Sequence, residues 1–265
     1  MKPGDLTTLQ SVKQWLGTDA INSSDSKLSF LISAASRFVL NYIQRTSLAK
    51  QTVEEIRDGY GNNFMVLRQW PVLSVQSVLF YGTSITTVAS GNPRTAGFFT
   101  DEPPVGGGQQ RLTLVGYRFP NCRSGITVNY EAGYVKTDDL FIPESAPYVL
   151  TTYSLWLDDQ GVTYKNGTSL VWVAADPSAG QYTTDGNGGY TFAAADAGSE
   201  VLISYSYVPE DIQQAVNELV GERFKASSRI GENSKTLGGQ ETISFSTKDF
   251  NDFIETSLNP YRRIV

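Results

Sequence analysis

Pro209-Glu-Asp-Ile-Gln-Gln-Ala-Val-Asn-Glu-Leu-Val220, read with the tail that runs on to Val265, decides the fold. Ile212, Ala215, Val216, Leu219, Val220 and Phe224 recur at spacings of three and four, which places them on one stripe of a helix. Pro209 suits a first helical position, since the amide it lacks would have no partner there. Glu210 and Asp211 favour the positive end of the helix, and Arg223, Lys225 and Arg229 the negative end. Gly231 is the expected stop. Beyond it, residues 232–265 scatter large apolar side chains among Ser, Thr and Gly, too few to bury one another and too many to leave in water. A tail of this kind is expected to dock.

Working outward, Thr7 or Thr8 can cap a short helix carrying Leu9, Val12, Trp15 and Leu16, with Gly17 ending it. A second helix starts at Ser24, with the stripe Leu28, Leu31, Ile32, Ala35, Phe38, Val39, Tyr42 and Ile43. Helices with one apolar face need a partner, and the 209–229 helix is the natural one. The middle of the chain reads as strands. Thr52–Asp58 and Phe64–Arg68 flank Gly59-Tyr-Gly-Asn-Asn63 as in a hairpin, and later runs end at Ile126-Thr-Val-Asn-Tyr130. From Thr137 to Tyr207, short strands separated by Asn-Gly and Asp-Gly turns suggest a small sandwich. The expected class is therefore α+β: a helical bundle built from both chain ends, a β-rich middle and an extended C-terminal tail. Its parts are N-terminal helices (1–48), a β unit (49–136), an inserted β-sandwich-like domain (137–207), the C-terminal bundle helix (208–231) and the docking tail (232–265).

Composition excludes several chemistries. The chain has no histidine and one cysteine, Cys122, so His-dependent triads, His zinc sites and disulfide frameworks are out. Residues 137–208 carry nine acidic residues against Lys165 alone, a poor surface for nucleic acid phosphates. No apolar run is long enough for a membrane span, and the N-terminus lacks a signal peptide's apolar run, so a cytoplasmic origin is expected. Gly59-x-Gly61 lacks a third glycine at fingerprint spacing, and Gly106-Gly-Gly108 lacks a following Lys-Ser/Thr, so neither reads as a nucleotide loop. Asp185-Gly-Asn-Gly-Gly189 lacks the glutamate of a calcium loop. Asp158-Asp159 reads as a solvated turn. No cofactor, metal or catalytic residue is expected.

The two ends resemble the phage head–tail connector (adaptor) family. The resemblance rests on Asp5-Leu-Thr-Thr-Leu9, Val12-Lys-Gln-Trp-Leu-Gly17, Leu67-Arg-Gln-Trp-Pro-Val-Leu-Ser-Val-Gln-Ser-Val78, Tyr130-Glu-Ala-Gly-Tyr134, the 209–220 segment, Ser234-Lys-Thr-Leu-Gly-Gly-Gln-Glu-Thr-Ile-Ser-Phe245 and Pro260-Tyr-Arg-Arg263. It covers residues 1–136 and 208–265. The 137–207 unit departs from the short members, and Asp185–Tyr207 looks like a sandwich module of other phage structural proteins. The resemblance implies a non-enzymatic virion protein of the neck, assembled in the host cytoplasm. It would form a ring of about twelve subunits under the portal protein and meet the tail or next neck protein. DNA would only pass through, without sequence-specific binding. Docking to portal or a neighbouring subunit is expected of Lys235, Leu237, Ile243, Phe245, Phe253, Ile254, Leu258, Tyr261, Arg262 and Arg263. The alternatives are a glycan- or receptor-binding virion module using the tyrosine-rich β domain, and a histidine-free glycosidase with two carboxylates across a cleft.

Overall fold

A computed structural model describes residues 2, 4–17, 24–86, 96–102, 108–226, 234–237, 241–244 and 255–263. The fold is mixed α+β with strands in the majority. The chain divides into two compact units, Met1–Ser47 with Tyr153–Leu155 and Val208–Arg262, and Leu48–Thr152 with Trp156–Tyr207 and Arg263–Val265.

The first unit takes residues from both ends of the chain. Helix α1 (Leu9–Leu16) starts at Thr8, whose hydroxyl accepts from the Ser11 amide at 3.1 Å, and ends at Gly17 in the left-handed region. Its buried face is Val12 and Lys13, whereas Trp15 is 52% exposed. The apolar stripe misplaces this face because Lys13 is drawn inward by an ion pair with Asp25 at 2.7 Å, its aliphatic stem covering apolar surface. Helix α2 (Asp25–Tyr42) buries Leu28, Ile32, Ala35 and Val39. Phe38 instead lies at the surface under the Arg223 guanidinium, and its place in the interior goes to Ser36, whose hydroxyl accepts from the Leu6 amide at 2.9 Å. Helix α3 (Glu210–Ala226) buries Ile212, Ala215, Val216, Leu219 and Val220 and packs on both α1 and α2. Within its apolar face, Asn217 accepts from the Thr7 hydroxyl at 2.6 Å and donates to the Ser11 hydroxyl at 2.9 Å, so the buried amide is satisfied.

The second unit has two cores. Around the first run β1 (Gln51–Gly59), β2 (Phe64–Val66), β3 (Val72–Phe80), β4 (Thr83–Ile85), β5 (Gly97–Thr100), β6 (Arg111–Val115) and β7 (Cys122–Ala132). They form sheets of order β1-β7-β3-β4 and β2-β6-β5, which close on Leu67, Val78, Phe98, Leu112, Val128 and Tyr130. The expected hairpin between β1 and β2 is therefore not formed. After Gly59 the chain crosses sheets, because the Asn62 and Asn63 carbonyls accept from Phe119 and Leu114 rather than from β1. Gly59 is required at this corner, since a Cβ there would lie 1.9 Å from the Pro120 carbonyl oxygen.

The second core follows from β8 (Val135–Phe141), β9 (Val149–Thr151), β10 (Trp156–Tyr164), β11 (Val171–Trp172), β12 (Gln181–Thr184), β13 (Gly189–Phe192) and β14 (Glu200–Tyr207). Their orders are β10-β14-β8 and β11-β12-β13-β9. Val162, Tyr190, Val201, Ile203 and Tyr205 fill the interior. The first and last strands of this segment are neighbours: Val135 pairs with Ser206, and the Tyr207 amide donates to the Tyr134 carbonyl at 3.0 Å.

Candidate functional site

The segment after α3 contains an antiparallel hairpin, β15 (Ser234–Leu237) with β16 (Glu241–Ser244). Lys235 pairs with Ile243, and Leu237 with Glu241. Within the described residues each strand has only the other as partner, so each keeps an edge of unpaired amides and carbonyls. Phe245, Phe253 and Ile254 lie outside the described residues.

Residues 255–258 are helical and pass into a 3-10 turn, Asn259–Tyr261. Leu258 is fully buried and Tyr261 is 4% exposed, both inside the first unit. Three hydrogen bonds fix the turn: Arg45 Nε donates to the Tyr261 carbonyl at 2.9 Å, the Tyr261 hydroxyl to Asp211 at 3.1 Å, and the Tyr42 hydroxyl to Asn259 Oδ1 at 3.1 Å. Leu258 and Tyr261, grouped by sequence with the docking residues, thus serve their own subunit. Arg262 is exposed, its guanidinium 5.8 Å from the Tyr42 ring centre. Arg263 is half-buried in the second unit. Its charge opposes the rise in the Tyr130 phenol pKa that burial and the Glu55 carboxylate produce. Sequence reasoning missed Arg45. The only signal was a basic residue two places beyond the last apolar position of the α2 stripe.

The residues considered for chemistry have structural partners. Asp158 and Asp159 are on strand β10, not in a turn. Register shifts on either side accompany the placement of Asp159, which accepts from the Tyr182 and Tyr190 hydroxyls at 2.7 and 2.9 Å. Burial raises both phenol pKa values, and the carboxylate adds to the rise. Asp185 accepts from the Asn187 and Gly189 amides at 2.7 and 2.9 Å, a local turn. Among the described residues no cluster of His, Cys, Asp or Glu could hold a metal ion, and no helix is long and apolar enough to cross a membrane.

The model of the head completion protein family matches residues 5–146 and 142–264. The chain belongs to this family, one of the phage head–tail connectors that its ends resemble, and the family consists of structural proteins of the virion. No curated protein matches it. Among solved structures, it aligns with a chain of the neck of the empty GTA particle at 11% identity, covering 99% of this chain and 92% of that one, with a TM-score of 0.37. It also aligns with a chain of the virion of the native gene transfer agent (GTA) particle at 12% identity, covering 100% and 93%, with a TM-score of 0.41.

Proposed function

We propose that this head completion protein is a head–tail adaptor of the virion neck, forming a ring of about twelve subunits under the portal. The observation that carries the reading is the family match along almost the whole chain, and the geometry of the C-terminal segment supports it. Helix α3 and the 255–262 anchor both belong to the first unit, so the hairpin between them is an arm held at both ends. Its strand edges suit pairing with a strand of the portal or of a neighbouring subunit. The portal contacts are Lys235, Leu237, Ile243, Phe245, Phe253, Ile254, Arg262 and Arg263. Leu258 and Tyr261 set the arm's origin. Residues 137–207 are an inserted module on this adaptor, and the next neck or tail protein docks on the far face of the ring.

The glycan-binding alternative gains nothing from the three most buried tyrosines of residues 137–207. Tyr182, Tyr190 and Tyr205 are 3%, 0% and 0% exposed, and their hydroxyls go to Asp159 and Asp138. They are core residues and line no open face. The test is the mass of the purified protein alone and mixed with portal. A portal-bound ring is expected; a protein that stays monomeric and leaves portal unbound refutes the proposal.

A further inference from the structure

The first unit contains an open pocket of about 490 Å³ between the N-terminal segment and the C-terminal end of α2. Three cations line it, Lys2, Arg37 and Arg45, against one carboxylate, Asp5. That carboxylate is already engaged, accepting from the Lys2 backbone amide at 3.2 Å. Arg45 is 7% exposed and is held at Nε by the Tyr261 carbonyl, so one guanidinium is fixed at the wall before any ligand arrives. Arg37 is exposed and has no ion-pair partner among the described residues. Ser33 and Asn41 add a hydroxyl and an amide. The end of α2 opposes an anion only weakly. Its Val39, Leu40 and Asn41 carbonyls already accept from the amides of Ile43, Arg45 and Gln44, leaving a fraction of one negative charge against a net excess of cations.

We infer that this cavity takes a carboxylate side chain from a second copy of the chain, presented by a loop of the acidic 137–207 region. The inference rests on the ring reading above. Charge complementarity selects the occupant. The N-terminal 48 residues carry five basic and three acidic residues, while 137–208 carry nine acidic and one basic. Within the acidic region, several carboxylates are committed internally: Asp138 to Tyr205, Asp196 to Tyr164, Asp159 to two tyrosines, and Asp139 and Glu200 to Lys165. Glu144 and Asp176 are exposed in loops without a cationic partner among the described residues. A bidentate guanidinium contact matches a carboxylate in geometry as well as charge.

The experiment mixes ordinary and heavy-nitrogen protein, with and without portal, and applies a zero-length carbodiimide, which joins an ammonium to a carboxylate only when they touch. Mixed-isotope peptides linking Lys2 to Glu144 or Asp176 are expected. Arg37→Glu should reduce them about tenfold, the effect of one charge pair worth a tenfold change in affinity, while Arg37→Lys retains most of the yield. Arg37 is exposed, so melting points of both variants should match wild type and exclude misfolding. Cross-links confined to one copy, or an unchanged yield in Arg37→Glu, overturn the inference. So does weakened duplex DNA binding by Arg37→Glu at constant cross-link yield, which would make the cavity a phosphate site. Ring formation is scored separately by mass: rings without mixed cross-links sink the cavity assignment alone, and absence of both sinks the adaptor reading with it.

Discussion

Leu258→Ala tests whether the end of the chain is anchor or tail. Leu258 is fully buried in the first unit although only seven residues follow it in the sequence. Truncating it should cost about 2–5 kcal/mol, the sum of lost transfer energy and the cavity left behind. Tyr261→Phe removes the bond to Asp211 and should cost about 1.5–3 kcal/mol, since the acceptor is charged. Ending the chain after Gly231 removes both side chains and also the carbonyl that holds the 7%-exposed Arg45. The total is about 5 kcal/mol or more, a large part of the roughly 5–15 kcal/mol that a domain possesses. Replacing residues 232–250 by a Gly/Ser linker keeps the anchor, so this variant should melt with wild type while losing attachment to portal-bearing heads. Urea titration followed by circular dichroism reads the stabilities, and co-sedimentation with heads reads attachment. A Leu258→Ala protein as stable as wild type would refute the anchor, and with it the idea of an arm tethered at both ends.

Leu219, 4% exposed on the buried face of α3, should cost about 2–5 kcal/mol as Leu219→Ala; an unchanged thermal midpoint counts against the packing of α3 on α1 and α2. Because Val135 pairs with Ser206 and Tyr207 bonds Tyr134, replacing residues 136–205 by a short linker should leave a soluble protein with the first β core intact. Aggregation of that protein would show that the two cores of the second unit depend on each other. Alkaline pH should unfold the chain steeply. Burial raises the phenol pKa of Tyr164 to about 12, and those of Tyr130, Tyr182 and Tyr190 also rise. Above pH 10 the unfolded state therefore binds fewer protons than the folded one, and stability falls as pH rises, by about 1.4 kcal/mol per pH unit for each tyrosine. Denaturant midpoints that stay flat from pH 9.5 to 11.5 would contradict this.

Elements governed by local chemistry were legible in the sequence. Thr8 and Gly17 bound α1 through a hydroxyl cap and a left-handed glycine, and the three-four spacing of 212–220 is the buried face of α3. Where burial is decided by a distant polar partner, the pattern misled. Lys13 goes in and Trp15 stays out because Asp25 waits for the ammonium. Strand β8 does not show as an alternating run because Asp138-Asp139 interrupts it, yet Asp138 is 3% exposed, held by the Tyr205 hydroxyl. The β1–β2 turn signal marked a real break between strands but could not say that the chain would cross from one sheet to the other there.

The candidate site shows the same limit in sharper form. An apolar segment too short to bury itself is equally satisfied by its own subunit or by a partner, because hydrophobic burial is non-directional. Sequence alone therefore placed Leu258 and Tyr261 with Phe253 and Ile254. What ties 259–261 to their own subunit is a set of directional bonds from residues more than two hundred positions away, Tyr42 and Arg45, which no apolar pattern announces. If the stretch before them docks on a partner, as proposed, fixing 258–261 holds the far end of that stretch in place. A tethered arm then searches a smaller volume than a free tail of equal length and loses less conformational entropy on docking. On the adaptor reading proposed above, that saving would recur at each docking position.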